Sequence, residues 1–254
     1  MQQEKADHNT PSGADRTRLS AITALRSLLF FILYNLLGMV HSLLCVISAP
    51  FLAAPGRQRM VNLWNRETMW LLRYLNGIHI EVSGQQHISA DQPMVVVANH
   101  QSQWETFYLQ LLIMPLTFIL KRELLRVPFF GWALALQRPI AIDRSKASTA
   151  MKALLREGKQ RLASGHHVLI FPEGSRQPPG TLGAFLPGGA MLARQARVSI
   201  LPVVHNAGDC WPARSIKRLP GTIRLVIGEP ITTEGKSTEQ LQQEINDWMR
   251  LHYP

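Results

Sequence analysis

A histidine and a carboxylate stand five positions apart, directly after an apolar run in the chain. His100 and Glu105 follow residues 93–98, which are Pro-Met-Val-Val-Val-Ala. Transfer of a group to a hydroxyl needs a base of near-neutral pKa, and a neighbouring carboxylate fixes the imidazole tautomer and stabilises the imidazolium. On one regular helix the two side chains would lie roughly 140° apart, so we expect His100 to precede a helix that carries Glu105. Taken alone, the spacing is more typical of a surface histidine beside a solvated glutamate.

A second polar segment also follows an apolar run. Residues 168–170 are Val-Leu-Ile, and residues 171–176 are Phe-Pro-Glu-Gly-Ser-Arg. Arg176 carries a planar fork of donors that matches phosphate oxygens, and Gly174 allows backbone to approach a ligand closely. Arg176 is therefore our first candidate for a phosphate contact, although the hexapeptide in isolation also fits a turn with an exposed arginine.

The hydrophobic pattern predicts the elements that position these residues. After Gly77, short apolar runs alternate with longer amphipathic stretches. The runs predict strands near 78–83, 94–98, 116–120, 139–142, 167–171, 199–204 and 222–227. The stretches between them predict helices near 103–113, 124–136, 146–163, 188–196 and 238–251, the last opening with a capping box at residues 237–240. Because helices alternate with strands that are apolar on consecutive positions, we expect residues 77–254 to form an α/β domain with a mostly parallel sheet.

The N-terminal part of the chain has the composition of a membrane anchor. Residues 1–20 are polar and mixed in charge, which predicts a disordered lead-in. Between Ser27 and Gly56 there is no Asp, Glu, Lys or Arg, and about 20 apolar residues are enough to cross a bilayer. Residues 21–76 are thus predicted to be a membrane-anchoring helical segment rather than a buried core helix. Arginines flank it on both sides, so a full span and a segment that enters and leaves on one face are both open.

Charge and cysteine content narrow the classes of partner. The formal net charge is +10, which points to an anionic partner such as a membrane surface, an acidic carrier or a phosphorylated substrate. Nucleic acid is disfavoured because the Arg and Lys residues are dispersed and no zinc, helix-turn-helix or aromatic RNA-binding pattern is present. Cys45 and Cys210 are the only cysteines, which argues against a disulfide framework. No metal-ligand spacing is apparent, and we expect no cofactor.

Together, the two polar segments resemble the signature of the glycerolipid acyltransferases, the family of 1-acylglycerol-3-phosphate acyltransferases. Three further blocks support the resemblance in the same order along the chain. Residues 121–124, Lys-Arg-Glu-Leu, followed by residues 128–131, Pro-Phe-Phe-Gly, resemble the Lys-x-Glu-Leu block that precedes Pro-x-x-Gly. Residues 142–144, Ile-Asp-Arg, match the end of the block Gly-x-x-Phe-Ile-Asp-Arg, and residues 201–204, Leu-Pro-Val-Val, match the last block. The resemblance covers about 78–230 and is closest to the bacterial, PlsC-like type.

The resemblance implies a role for each matching position. His100 is expected to be the general base and Glu105 its orienting acid. Acceptor binding, including its phosphate, is expected from Lys121, Arg144, Glu173, Gly174, Ser175 and Arg176. Pro202 is expected to wall the active site, and no residue is expected to bind a metal.

Departures from the family pattern include three positions in these blocks. Glu105 replaces the usual Asp, Ser175 replaces Thr, and Arg138 stands where the Gly-x-x-Phe-Ile-Asp-Arg block opens with Gly. Because Glu105 stands in place of Asp, the His100–Glu105 pair predicts the type of reaction more firmly than it predicts the identity of the acceptor. His205, outside the matching blocks, is open to two interpretations: a second base, or a polar group satisfied within the core.

The resemblance implies an α/β fold of the glycerol-3-phosphate acyltransferase type and a reaction in phospholipid biosynthesis. An acyl group would pass from acyl carrier protein or coenzyme A to the free sn-2 hydroxyl of 1-acyl-sn-glycerol 3-phosphate, a lysophosphatidic acid, giving phosphatidic acid. The expected location is the bacterial inner membrane, in contact with membrane lipids, with the catalytic domain on the cytoplasmic face. Two alternatives are open: the same chemistry on a lyso-ornithine lipid, another lysophospholipid or a small amine, or a catalytically silent membrane-binding homologue.

Overall fold

Two helices precede the sheet and pack on it. In a computed structural model that describes residues 13–143 and 147–254, helix α1 spans Gly13–Ser48 and helix α2 spans Ala54–Tyr74, with a 3-10 turn at Ala49–Phe51 between them. The predicted disordered lead-in of residues 1–20 is wrong for residues 13–20, which are helical, whereas residues 1–12 lie outside the described residues. Phe30 of α1 and Leu72 of α2 belong to the same buried core as the central strand.

Helix α1 presents one face to the protein and leaves the other uncovered. Phe30 and Cys45 are buried, and Gly38 lies against α2, where an added Cβ would come within 3.0 Å of the Trp64 ring. The opposite stripe is apolar and exposed; it comprises Leu25, Leu28, Leu29, Phe31, Ile32, Leu36, Met39, Val40, Leu43, Leu44 and Ile47. The helical stretch Ser20–Phe51 is long and apolar enough to cross a membrane, with mean hydropathy 2.1 in a window that is 22% buried. A soluble core helix would be mostly buried, so the exposed stripe favours a membrane contact.

Seven strands form one sheet. They are β1 (Ile78–Ser83), β2 (Val95–Ala98), β3 (Leu116–Lys121), β4 (Ile140–Ile142), β5 (His167–Ile170), β6 (Ile200–His205) and β7 (Gly221–Ile227). Their order is β1-β7-β6-β2-β5-β3-β4, and every neighbouring pair is parallel except β6 and β7. The predicted α/β architecture with a mostly parallel sheet is confirmed.

Helices cover both faces of this sheet. They are α3 (Trp104–Leu112), α4 (Phe130–Ala135), α5 (Ala147–Ala163), α6 (Gly188–Ala196), α7 (Ala207–Cys210) and α8 (Thr238–His252). Successive residues of β2 point to opposite cores: Val96 packs with α1, α2 and α3, whereas Val95 packs with α5, α6 and α8. All four residues of β2 are buried, as expected for a strand covered on both faces.

One predicted helix is divided in two. The sequence pattern predicts a continuous helix near 124–136, but a 3-10 segment at Arg122–Arg126 ends before α4 begins at Phe130. Pro128 lies at the break, where proline lacks a backbone N–H and disfavours helix at the preceding residue. Phe129 also has φ of +59°, outside the helical region. The helix prediction is therefore wrong at its middle.

The capping box predicted for the last helix is present. The Ser237 hydroxyl accepts from the Gln240 backbone N–H at 3.2 Å, and the Gln240 side chain accepts from the Ser237 N–H at 2.8 Å. Leu241, Ile245 and Met249 of α8 are buried against the sheet, four residues apart, as the helical period requires.

Candidate active site

The site is built at the carboxyl edge of the parallel strands. Strands β2, β3, β5 and β6 run in the same direction, so the residues that follow them converge on one edge. His100 follows β2, Lys121 ends β3, Glu173 follows β5 and His205 ends β6. The fold thus brings together segments that are more than 100 positions apart.

The predicted pair of base and acid is in direct contact. His100 Nδ1 lies 2.7 Å from Glu105 Oε1. His100 sits in the turn between β2 and α3, and Glu105 is in the first turn of α3, so the two side chains meet as the spacing predicts. The His100 ring stacks on Phe171 with 4.1 Å between centroids and 13° between planes. The imidazole is therefore held from its edge and from one face.

Glu105 is buried but well supplied with donors. Its Oε1 also accepts from the backbone N–H of Gln101 at 3.0 Å and of Ser102 at 2.8 Å. Burial by itself would raise the pKa of Glu105, but the hydrogen bonds from His100 and Ser102 and the nearby imidazoles hold the pKa below its usual value. An ionised Glu105 can only accept, so Nδ1 carries the proton and Nε2 of His100 presents a lone pair.

Both backbone groups of His100 are held by the loop after β5, at Glu173 and Gln177. The His100 N–H donates to Glu173 Oε2 at 2.6 Å, and the His100 carbonyl accepts from the Gln177 N–H at 2.7 Å. The second oxygen of Glu173 accepts from the Gly183 N–H at 2.8 Å. Glu173 therefore positions the backbone of His100, and it is not among the residues that line the cavity described below. Burial raises the pKa of Glu173, partly offset by these two backbone donors.

Gly174 directly follows this brace and has φ of +68°, in the left-handed region that favours glycine. The conformation turns the chain so that Ser175 and Arg176 reach the cavity, while Glu173 points back toward His100. Glu173 and Gly174 thus shape the site through the backbone: Glu173 holds His100, and Gly174 turns the chain.

His205 has both ring nitrogens engaged. Its Nδ1 accepts from the Ala207 N–H at 3.2 Å, so Nε2 is the donor to the Asn99 carbonyl at 3.0 Å. The Asn99 side chain in turn donates to the His205 carbonyl and accepts from the His205 N–H, each at 2.9 Å. Burial lowers the pKa of His205, which keeps the ring neutral. Of the two interpretations, the satisfied core group is the one found, and the sequence offered no signal for the partner Asn99.

A cavity of about 550 Å³ opens in front of His100. Its apolar wall includes Phe107, Phe118, Ile119, Leu120, Leu124, Phe130, Leu134 and Phe171. Lys121, Arg176 and Arg214 also line it, and none of the three forms an ion pair with a carboxylate among the described residues. No Asp or Glu lines the cavity within the described part of the chain. The space therefore suits a ligand with an anionic group and an apolar tail.

The sequence reasoning did not identify Tyr34 and Arg214 as residues that line the cavity. Tyr34 comes from α1, which was interpreted only as an anchor, and Arg214 comes from the loop before β7. Arg214 has φ of +60°, a conformation that is uncommon for a residue with a side chain. Nothing in the local sequence pattern distinguishes either residue.

The remaining predicted residues lie partly at the cavity and partly elsewhere. Lys121, Ser175 and Arg176 line the cavity, whereas Arg144 lies outside the described residues. Pro202 is not among the lining residues: it lies in β6 next to Gly228, beneath Trp248 of α8. Positions 200 and 204 of β6 belong to the core on the α8 side, and position 202 shares their face by the strand period. The structure thus provides no active-site wall from Pro202.

Arg138 accounts for one departure from the family pattern. It occupies the position where the Gly-x-x-Phe-Ile-Asp-Arg block opens with Gly, and its φ of +51° lies in the left-handed region. Glycine adopts that conformation without steric cost, whereas a side chain is strained there by roughly 1–3 kcal/mol. The backbone conformation at this position is therefore one that suits glycine better than arginine.

A second large cavity lacks a candidate base or thiol nucleophile. An open groove of about 950 Å³ contains Arg194, Arg197 and Lys236 and adjoins the amino end of β6, opposite the edge that carries His100. No His or Cys lines that groove among the described residues. Within the same described ranges, no group of three or more His, Cys, Asp or Glu residues is arranged to hold a metal ion.

The chain was compared with known proteins. A family model described as "Acyltransferase" matches residues 79–206. The chain is 44% identical to a 1-acyl-sn-glycerol-3-phosphate acyltransferase of Pseudomonas aeruginosa over 235 residues, 91% of each chain. It is 32% identical to the mouse 1-acyl-sn-glycerol-3-phosphate acyltransferase alpha, covering 78% of this chain and 70% of the mouse protein. The crystal structure of the 1-acyl-sn-glycerophosphate acyltransferase PlsC from Thermotoga maritima has the same fold, with a TM-score of 0.75 at 22% identity, over 90% of this chain and 93% of that one.

Proposed function

This chain belongs to the acyltransferase family, and we propose that it transfers a long-chain acyl group from a thioester to the free sn-2 hydroxyl of 1-acyl-sn-glycerol 3-phosphate. The product would be phosphatidic acid, and the reaction a step of phospholipid biosynthesis. The proposal is supported by the relative that is 44% identical over 91% of the chain and bears that activity in its name.

The observation that carries the proposal is the composition of the cavity in front of His100. Nε2 of His100 has no hydrogen-bond partner among the described residues, and the ring lines a space with three cations and an apolar wall. A lysophosphatidic acid has matching parts: a phosphate for the cations, an acyl tail for the apolar wall, and a hydroxyl between them for the base.

The reaction follows from this arrangement. Lys121 and Arg176, joined by Arg214, hold the phosphate through charge-assisted hydrogen bonds. Nε2 of His100 takes the proton of the acceptor hydroxyl as its oxygen attacks the thioester carbonyl carbon, and the imidazolium that forms is stabilised by Glu105. When the tetrahedral intermediate collapses, the C–S bond breaks and the thiolate leaves with the proton returned by His100. Acyl carrier protein and coenzyme A both present the thioester on a phosphopantetheine arm, and either fits this step.

No acyl-enzyme intermediate is part of the proposal. Cys45 and Cys210 are buried, and neither lines the cavity. Burial raises the pKa of the Cys45 thiol, and burial together with the charge of Asp209 raises that of Cys210 to about 11. Thiols of raised pKa are poor nucleophiles, so direct attack by the acceptor is the simpler route.

We place the reaction at a membrane surface, with the bacterial inner membrane and its cytoplasmic face as the proposed location. Helix α1 packs against α4, and exposed apolar side chains lie on α4 and on the segment before it. Leu124 lines the cavity and is 41% exposed, and Val127, Phe129 and Trp132 are exposed next to it. A lipid acceptor could thus pass from the bilayer into the cavity without crossing water.

The test is turnover by the purified full-length protein. The assay would supply acyl-(acyl carrier protein) or acyl-coenzyme A, radiolabelled in the acyl chain, with 1-oleoyl-glycerol 3-phosphate in mixed micelles, and would measure labelled phosphatidic acid. We expect His100→Ala to reduce kcat by about 10²–10⁴-fold. His166→Ala, outside the cavity, is the matched control. An active His100→Ala enzyme would remove His100 as the base, and a wild type inactive with both donors would remove the proposed acceptor.

The cations provide the test of acceptor identity. Lys121→Met and Arg176→Met should each raise KM for the phosphate-bearing acceptor by about tenfold or more, because a hydrogen bond to a charged group is lost. Arg250→Met, on the far side of the domain in α8, should leave KM unchanged. If the true acceptor lacks a phosphate, such as a lyso-ornithine lipid or a small amine, the first two substitutions should have no larger effect than the control.

A further inference from the structure

Helix α1 contributes one polar side chain to the cavity. Tyr34 lies near the middle of the apolar helix, yet it lines the same space as His100, Arg176 and Arg214. Its neighbours Phe31, Ile32 and Leu36 are exposed on the opposite stripe. The helix that faces lipid with one side therefore faces the substrate space with the other.

The Tyr34 ring is held on several sides by aromatic residues. Ring centroids of Phe30, Trp64, Phe107 and Trp211 lie 5.7, 5.1, 6.0 and 5.8 Å from it. The Tyr34 carbonyl also accepts from the Trp64 Nε1–H at 3.3 Å, which fixes this turn of α1 against α2. Aromatic contacts of this kind position a ring closely, so the place of the hydroxyl is well determined.

The Tyr34 side chain is half-buried and lines the cavity, and its hydroxyl has no hydrogen-bond partner among the described residues. The hydroxyl is close enough to Arg176 and Arg218 to experience the charges of both guanidinium groups. Arginine offers only donors, and no carboxylate lines the cavity within the described residues. The part of the chain that the structure describes supplies no acceptor for this O–H group, and the adjacent positive charge favours an anionic one.

We propose that Tyr34 is a further substrate-binding residue, whose hydroxyl donates a hydrogen bond to the phosphate of the lipid acceptor beside Arg176. This inference rests on the proposed function and adds a residue from the membrane helix to the acceptor site. The aromatic cluster around Tyr34 then determines both how α1 lies in the bilayer and where the acceptor headgroup binds.

The substitution Tyr34→Phe isolates the hydroxyl because it keeps the ring and its four aromatic contacts. We expect KM for 1-oleoyl-glycerol 3-phosphate to rise about tenfold or more, with kcat at saturation and KM for the acyl donor within about twofold of wild type. Tyr74→Phe is the matched control, since Tyr74 is 70% exposed on α2 and does not line the cavity. A thermal melt of each variant should overlay that of the wild type.

A binding measurement separates this inference from the proposed reaction. The probe is the phosphate monoester of 1-oleoyl-1,3-propanediol, which keeps the phosphate and acyl chain but has no hydroxyl to acylate. Tyr34→Phe should raise the Kd of this probe by the same factor by which it raises KM for the acceptor. Weaker probe binding in a protein that does not turn over the acceptor would retain the Tyr34 site and overturn the proposed reaction. Unchanged KM and Kd in an active enzyme, or equal losses toward acceptor and donor, would overturn the role of Tyr34.

Discussion

The backbone N–H of His100 donates a hydrogen bond of 2.6 Å to Oε2 of Glu173. The two residues are 73 positions apart and belong to different sequence blocks, one carrying the proposed base and the other the arginine proposed to bind phosphate. This bond ties the position of His100 to the loop that presents Ser175 and Arg176 to the cavity. Together with the Gln177 hydrogen bond to the His100 carbonyl, it holds His100 and Arg176 at a set separation.

Replacing that carboxylate should therefore affect rate more than substrate affinity. In Glu173→Gln, one of the two backbone N–H groups loses its acceptor, so the free energy of unfolding should fall by about 1–3 kcal/mol. Because the base is displaced rather than removed, kcat should fall by about 10–100-fold while KM changes little. Urea unfolding and steady-state kinetics measure the two effects. Glu229→Gln, at an exposed site, should leave both unchanged, and a large KM effect without a kcat effect would contradict this role.

Glu105 should be needed for rate and for stability above acidic pH. In Glu105→Gln the imidazolium loses its counter-charge, so kcat/KM should fall by about 10²–10⁴-fold. Because the pKa of Glu105 is lower in the folded protein than its ordinary value of 4.5, the folded state binds fewer protons than the unfolded state in this range. The stabilising contribution of the carboxylate is then complete above about pH 4.5 and is lost as pH falls through the lowered value. The stability gap between wild type and Glu105→Gln, from urea unfolding at pH 3–7, should narrow below pH 4.5; a constant gap would oppose this assignment.

His205 should make the protein less stable in mild acid. Burial lowers its pKa below the ordinary 6.5, and both ring nitrogens are bonded in the neutral form. Below about pH 6.5 the unfolded state therefore binds a proton at this histidine more readily than the folded state does. The free energy of unfolding should fall as pH drops below that value. His167, whose pKa burial also lowers, contributes a slope of the same sign. His205→Gln should be less stable at pH 7 and show a shallower loss from pH 7 to 5; His166→Gln should retain the full slope, and equal slopes in the two variants would count against His205.

The apolar stripe of α1 should govern membrane binding separately from chemistry. Replacing Ile32, Leu36 and Met39 with Ser removes exposed apolar area that contributes roughly 1.5–3 kcal/mol per side chain when buried. Partitioning to anionic vesicles should fall by at least about 100-fold in co-sedimentation, while turnover of substrate in detergent micelles stays near wild type. Leu251→Ser is the control, because Leu251 is 79% exposed on α8, on the other side of the sheet. Unchanged vesicle binding by the triple variant would exclude the stripe as the membrane contact.

The sequence by itself determined the local elements and the family. The apolar runs predict all seven strands to within about two residues, because a strand buried on both faces must be apolar at consecutive positions. The spacing of five positions from His100 to Glu105 predicts a pair that meets only across a helix start, and that is where the structure places them. These features depend on neighbours along the chain, so they are readable without knowing the fold. The break at Pro128 was one exception, since apolar periodicity continued through it.

Only the tertiary structure decided which distant groups share the site. The sequence made Glu173 a candidate for the acceptor site, whereas in the structure its carboxylate accepts a hydrogen bond from the backbone of His100. His205 forms hydrogen bonds with Asn99, which is 106 positions away. Pro202 faces away because the strand period sets its side chain on the α8 side, and Tyr34 enters the cavity because Trp64 and Phe107 hold its ring there. Each outcome depends on the sheet order and on the direction in which a side chain leaves its element. Hydrogen bonds and packing between segments far apart in sequence set these contacts, and no local pattern of residue types encodes them.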